Sequence, residues 1–144
     1  ENGILATCRE LGVGLVAYSP LGRGFLAANF RYLGDLPADD RRRSQPRFQD
    51  ANAGHNAQLV AAIAAMAQRK GCSLPQLALA WVLAQGQDVT PIPGMKTRAH
   101  LNDNLGALDV VLTRAEEQEL RRLVDAMPVL GERHPALMMK TLDA

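Results

Sequence analysis

Two short apolar runs, Val13–Tyr18 and Val89–Ile92, decide most of what this chain can fold into. Both are uncharged, and both end in turns built from glycine, proline and polar residues. Apolar runs of this length between turn signals have the pattern of buried strands. Helical repeats lie between them, and strands separated by helices pair in parallel. A parallel sheet is normally covered on both faces, and two short strands do not make a stable one alone. The pattern therefore predicts an α/β architecture whose strands expect neighbours.

The segments around the strands predict helices with recognisable ends. Residues 2–11 repeat apolar side chains (Ile4, Leu5, Cys8, Leu11) up to a stop at Gly12, so the chain is expected to begin inside or at the edge of a helix, as a truncated chain would. Ser19–Gly24 is a turn, and residues 28–56 carry no sustained period, which predicts a long loop of functional weight. Asn56 is placed to cap a helix over 57–70, with Leu59, Ile63 and Met66 on one face and Gly71 after its end. Ser73 or Leu74-Pro75 opens a helix over about 75–85, apolar nearly all round and closed by Gly86. Thr97 or Arg98 opens a short helix through about Leu108. Thr113 and Glu116 form a capping box for a helix over 114–127, with Leu120, Leu123, Val124 and Met127 inward and Pro128 as its stop. The tail 129–144 has no firm pattern.

Composition limits the function classes. A net charge of +1 gives no general pull toward nucleic acid or a membrane surface, and no apolar run is long enough to span a bilayer. No secretory leader is visible, so a cytoplasmic protein is expected. Cys8 and Cys72 lie far apart without metal-ligand spacing and are read as free buried thiols. The basic triplet Arg41-Arg42-Arg43 is offset by Asp35, Asp39, Asp40 and Asp50, which predicts loop salt bridges rather than a nucleic-acid surface. His55, His100 and His134 show no metal spacing and no nucleophile motif accompanies them.

The chemistry concentrates in the two turns after the strands, Tyr18-Ser19-Pro20-Leu21-Gly22-Arg23-Gly24 and Pro93-Gly94-Met95-Lys96-Thr97-Arg98. Ligands of parallel α/β folds sit at the carboxyl ends of strands, and glycines there let a phosphate approach the backbone. Lys96 and Arg98 open a helix, where cations oppose the helix dipole unless an anion binds. Two ordinary turns with solvated basic residues would read the same from spacing alone. Gly22-x-Gly24-x-x-Ala27 also fits a dinucleotide fingerprint, but a long proline-containing loop follows where that motif requires a helix.

The segments Val16-Ala17-Tyr18-Ser19-Pro20-Leu21-Gly22-Arg23-Gly24-Phe25-Leu26, Arg47-Phe48-Gln49, Gln76–Leu83 and Pro91–Gly94, followed by Leu101-Asn102-Asp103-Asn104, resemble the aldo-keto reductases in their order and spacing. The resemblance covers about residues 1–127 and is nearest to the auxin-induced or perakine-reductase-like group. It implies the C-terminal portion of a (β/α)8 TIM barrel, an incomplete barrel in which Val13–Ala17 is the seventh strand and Val89–Ile92 the eighth. All of 1–144 then forms part of one NADP-dependent oxidoreductase domain.

Site residues follow from the same resemblance. Tyr18 is similar to the aromatic that stacks on the nicotinamide, and is not the catalytic tyrosine. Ser19, Leu21 and Gly22 resemble the turn around the pyrophosphate, with Arg23 nearby. Gly94, Met95, Lys96 and Thr97 resemble the turn that takes the adenosine 2′-phosphate, with Arg98 or His100 close by; Met95 stands where a small hydroxyl residue is common. Asp103 and Asn104 resemble the pair that holds the adenine. The implied cofactor is NADP(H) and the implied substrate a small aldehyde or ketone.

In the resemblance the family's catalytic Asp, Tyr, Lys and His belong to earlier strands, so this chain alone is expected to be inactive, and also to be either marginally stable or self-associating. The alternatives are a catalytically inactive remnant, an interaction module and a separate nucleotide-binding module.

Overall fold

The computed structural model describes residues 3–27, 34 and 36–141. Its order is α1 (Ile4–Glu10), β1 (Leu15–Tyr18), α2 (Asp50–Lys70), α3 (Leu74–Leu83), β2 (Val89–Ile92), α4 (Arg98–Leu105), α5 (Arg114–Ala126) and α6 (Ala136–Met139), with 3-10 turns at Gly22–Gly24, Arg41–Ser44, Pro46–Phe48 and Gly106–Asp109. The loop residues 28–33 and 35, Asp35 among them, lie outside the described residues.

β1 and β2 pair in parallel, with Leu15 opposite Val89 and Tyr18 opposite Ile92. Successive side chains of a strand point to opposite faces. One face carries Leu15, Ala17 and Val89 and is packed by α3. The other carries Val16, Tyr18 and Ile92, which are 60%, 51% and 52% exposed. The two strands form the whole sheet among the described residues, an incomplete parallel sheet of the kind expected.

The helix ends show why the chain breaks where it does. Gly71 takes the left-handed conformation at the end of α2 (φ +73°), which costs glycine little. Ser73 then accepts from the Gln76 N–H at 3.2 Å while the Gln76 side chain accepts from the Ser73 N–H at 2.9 Å, a reciprocal cap that starts α3. Thr97 caps α4 through the His100 N–H at 3.1 Å. Thr113 and Glu116 form the expected box at α5.

The main core joins Leu59, Ile63, Met66 and Ala67 of α2 to Leu74 and Leu77 of α3 and Leu120 of α5. A second cluster, Phe25, Leu36, Phe48 and Ala53, pins the long loop beneath the carboxyl end of the sheet; the Phe25 and Phe48 rings meet edge to face at 5.0 Å. Arg9 donates to Asp88 at 2.8 Å and to the Gln85 carbonyl, tying α1 to the turn before β2.

Three expectations are corrected. Asn56 is not a cap: α2 begins at Asp50, seven residues of the expected loop are helical, and Asn56 is buried in the helix interior. Val124 does not face inward; it is 43% exposed while Leu120 is buried and Leu123 and Met127 pack against the core, because α5 turns only a narrow stripe to α2. Cys8 and Cys72 are free thiols but only half-buried, and burial pushes the Cys72 thiol up.

The Lys70–Glu116 ion pair joining α2 to α5 gives a pH prediction. The Lys70 ammonium at 2.8 Å, with the Thr113 N–H and hydroxyl, holds the Glu116 carboxyl at about 2, below its ordinary 4.5. In the unfolded chain Glu116 takes its proton near the ordinary value, so between those limits the unfolded state binds more protons. The stabilisation is complete above about pH 5 and is lost as pH falls through about 4.5 toward 2. Asp40, held at about 2 chiefly by Arg42, titrates over the same window and adds to the slope. Glu116→Gln is expected to melt lower than wild type at pH 7 and to converge with it near pH 2; parallel curves of melting temperature against pH would contradict this.

Candidate functional site

The turn after β1 is forced into an uncommon shape. Ser19 and Arg23 adopt positive φ (51° and 59°), as do Gly22 (58°) and Gly24 (92°). Non-glycine residues in that region cost on the order of 1 kcal/mol each, and such positions gather at functional sites. A Cβ at Gly24 would lie 3.0 Å from the Arg42 guanidinium, which covers the turn from the long loop and donates to the Arg23 carbonyl at 3.4 Å. Arg42 is itself set by Asp40, bonded at 2.7 Å.

This turn and the turn after β2 form the two walls of a cleft of about 920 Å³, at the upper end of ordinary ligand sites. Of the residues singled out in the sequence, Ser19, Leu21, Arg23, Gly94, Met95, Lys96, His100, Asp103 and Asn104 line it. Tyr18 and Gly22 line a smaller adjoining pocket of about 170 Å³, shared with Ser19 and Arg23. Thr97 and Arg98 line neither; Thr97 is used as the α4 cap. Asp40, Arg41, Arg42 and Pro75 also line the cleft, and nothing in their local sequence marks them for a site.

The polar groups of the cleft are unequally used. Asp103 accepts from the Ser73 hydroxyl at 2.7 Å, which ties α4 to the start of α3. The neighbouring Asn104 Nδ2 is buried without a hydrogen-bond partner among the described residues. A buried amide donor left unpaired costs about 1–3 kcal/mol, and Asn104 is also one of the residues lining the cleft. Lys96 is exposed and makes no salt bridge among the described residues.

The tail, featureless in sequence, closes the smaller pocket. The Asn56 side chain donates to the Arg47 and Leu130 carbonyls at 3.1 and 2.9 Å and accepts from the Leu130 N–H at 2.8 Å. Gly131 (φ +88°) follows, where a Cβ would stand 2.8 Å from the Pro46 carbonyl carbon and 2.9 Å from the Arg47 nitrogen. Only glycine lets the tail pass that close. Thus seated, the tail brings the Arg133 guanidinium 4.5 Å from the centre of the Tyr18 ring. Arg23 donates to the Arg133 carbonyl at 3.0 Å and its other terminal nitrogen meets His134 Nδ1 at 3.0 Å, while burial and nearby guanidiniums push the His134 pKa down.

The aldo/keto reductase family model matches residues 1–125. The chain belongs to the aldo/keto reductase family. It is 43% identical over 135 residues to the aldo-keto reductase yakc [NADP(+)] of Schizosaccharomyces pombe, covering 94% of this chain and 40% of that protein. Among solved structures it resembles a thermostable aldo-keto reductase crystallised with the inhibitor epalrestat, at TM-score 0.57 and 28% identity over 84% of this chain and 33% of that one. The glycerol dehydrogenase AKR11B4 from Gluconobacter oxydans shares the fold at TM-score 0.75 and 23% identity, over 91% of this chain and 40% of that one. The chain thus spans less than half the length of the relatives it matches, and its fold is part of their TIM barrel. No helix among the described residues is long and apolar enough to cross a membrane.

Proposed function

We propose that this chain holds NADP(H) for an aldo-keto reductase that reduces aldehydes or ketones to alcohols, and that residues 1–144 form the part of that domain bearing barrel strands seven and eight. The observation that carries the reading is the buried Asn104 amide, without a partner among the described residues, in the wall of a cleft built from both strand-end turns. Purine ring nitrogens are acceptors that fit such a donor, so the residues present suit the cofactor. Asn104 holds the adenine, with Asp103 positioned beside it by Ser73. Lys96 and the backbone of Gly94 and Met95 receive the 2′-phosphate, with His100 on the same wall. Ser19, Leu21 and Gly22 present the strained turn to the pyrophosphate, with Arg23 nearby. Tyr18 offers its ring to the nicotinamide. When bound, the cofactor supplies the hydride; this chain's share is binding and orientation. Within the family, the segments Val16–Leu26, Arg47–Gln49, Gln76–Leu83, Pro91–Gly94 and Leu101–Asn104 support a member similar to the auxin-induced or perakine-reductase-like group.

The exposed face of Val16, Tyr18 and Ile92 supports a chain that is covered by further barrel strands or associates with itself. Calorimetric titration of NADPH into the chain tests the cleft. Saturable binding is expected, weakened about 3- to 10-fold in Asn104→Leu, the worth of one hydrogen bond. An unchanged affinity in the variant removes the adenine assignment.

A further inference from the structure

Beside Tyr18 the chain gathers three guanidiniums, and the one carboxylate that acts on them among the described residues, Glu132, reaches Arg47 only at long range. Arg23, Arg47 and Arg133 line the pocket of about 170 Å³ that adjoins the cofactor cleft. None makes a salt bridge among the described residues. Their anchors are neutral acceptors: Arg23 donates to Gln45 Oε1 at 2.6 Å and to the Arg133 carbonyl, and Arg47 Nε donates to the Gly131 carbonyl at 3.2 Å. Burial, followed by repulsion from Arg133 and Arg23 and only partly offset by Glu132, pulls the Arg47 guanidinium below its ordinary value, so the cations sense one another. The terminal nitrogens of Arg47 and all the donors of Arg133 stay without a protein hydrogen-bond acceptor among the described residues. Such a fork matches the two oxygens of a carboxylate.

We propose that Arg23, Arg47 and Arg133 form a carboxylate subsite beside Tyr18, so that the preferred carbonyl substrates are oxo acids, aldehydes or ketones that also carry an anionic group. This rests on the cofactor reading above, which puts the reacting ring at Tyr18. Like charges held this close are unfavourable until an anion joins them. The chain keeps them together at some structural expense, through the Gly131 turn and the Asn56 bonds that seat the tail. The other anion available here is the cofactor's own pyrophosphate, and the two sources differ in whether carboxylate and cofactor bind together.

The probes are 4-carboxybenzaldehyde and its uncharged methyl ester, titrated by NMR into the chain with and without saturating NADP+. With NADP+ bound, the acid is expected to bind about tenfold more tightly than the ester, shifting the arginine Nε–H signals. Arg133→Gln removes most of that preference, and Arg133→Lys restores part of it. The Arg133 side chain anchors nothing by hydrogen bonds, so these variants leave the tail in place; unchanged backbone spectra verify that. Equal binding of acid and ester overturns the proposal. Displacement of the acid by NADP+ also overturns it and assigns the cluster to the cofactor's phosphates. Failure of NADP+ itself to bind strikes the cofactor reading instead, and the acid-to-ester ratio measured without cofactor still reports on the subsite.

Discussion

Asn56→Leu is expected to destabilise the chain by about 3 kcal/mol, from the loss of three hydrogen bonds in a buried setting, each worth about 1 kcal/mol. For a chain of this size that lowers the melting temperature by roughly 10 °C. The side chain is 3% exposed and joins the turn before α2 to the tail, donating to Arg47 and Leu130 and accepting from Leu130. Leucine leaves two carbonyls and one N–H to find new partners where water has poor access. The same change should loosen the tail and release Arg133 from the Tyr18 ring, so the small pocket beside Tyr18 opens without any substitution inside it. Gln58→Ala, on the exposed side of the same helix, is the control and should shift the melt little. Thermal or urea denaturation followed by circular dichroism checks both, and equal melts for Asn56→Leu and wild type would show that the tail is held by other contacts.

Asn56 also marks where the sequence stopped being legible. An asparagine before an apolar period is a strong helix-start signal, and residues 50–55 hold no apolar repeat to argue against it. The helix extends back to Asp50 with no side-chain cap at Gln49, because Ala53 and Phe48 pack together and Asn56 bonds to chain 74 residues away. No local pattern reports a tertiary bond of that kind. Ser73, Thr97 and Thr113 were readable because each satisfies its helix end with neighbours three residues on, and the strands because an apolar run between glycine turns has few other uses. The walls of the cleft were readable as well, since Ser19–Arg23 and Gly94–Asn104 follow strands directly. Arg42 and Arg133 were not. One belongs to a triplet that composition explains as salt bridges, and the other to a tail without period, so only folding brings them to the strand ends. Thr97 and Arg98 went the other way: near the cleft in sequence, they do not line it, Thr97 being used as a cap.

Lys96 carries the second large effect. It stands in the cleft wall, exposed and without a salt bridge among the described residues, one residue before the cap of α4. The 2′-phosphate of NADPH bears close to two negative charges, and a charge-assisted contact to it is worth about 1.5–3 kcal/mol. That corresponds to roughly ten- to hundredfold in affinity. NADH lacks the phosphate and leaves Lys96 solvated, so Lys96→Ala should weaken NADPH by about that factor and NADH little. Arg98, exposed at the first position of α4, can take up part of the charge, so the double change should lose more than either single one. Added salt should narrow the gap between the cofactors in wild type, since the contact is exposed. A solvated lysine with no ligand would instead give small and equal effects on both. The measurement is the pair of dissociation constants for NADPH and NADH in wild type, Lys96→Ala, Arg98→Ala and the double variant. A strong NADPH preference in wild type that collapses toward unity in the double variant is the predicted result, and one NADPH-to-NADH ratio shared by all four proteins would contradict a phosphate site at the end of β2.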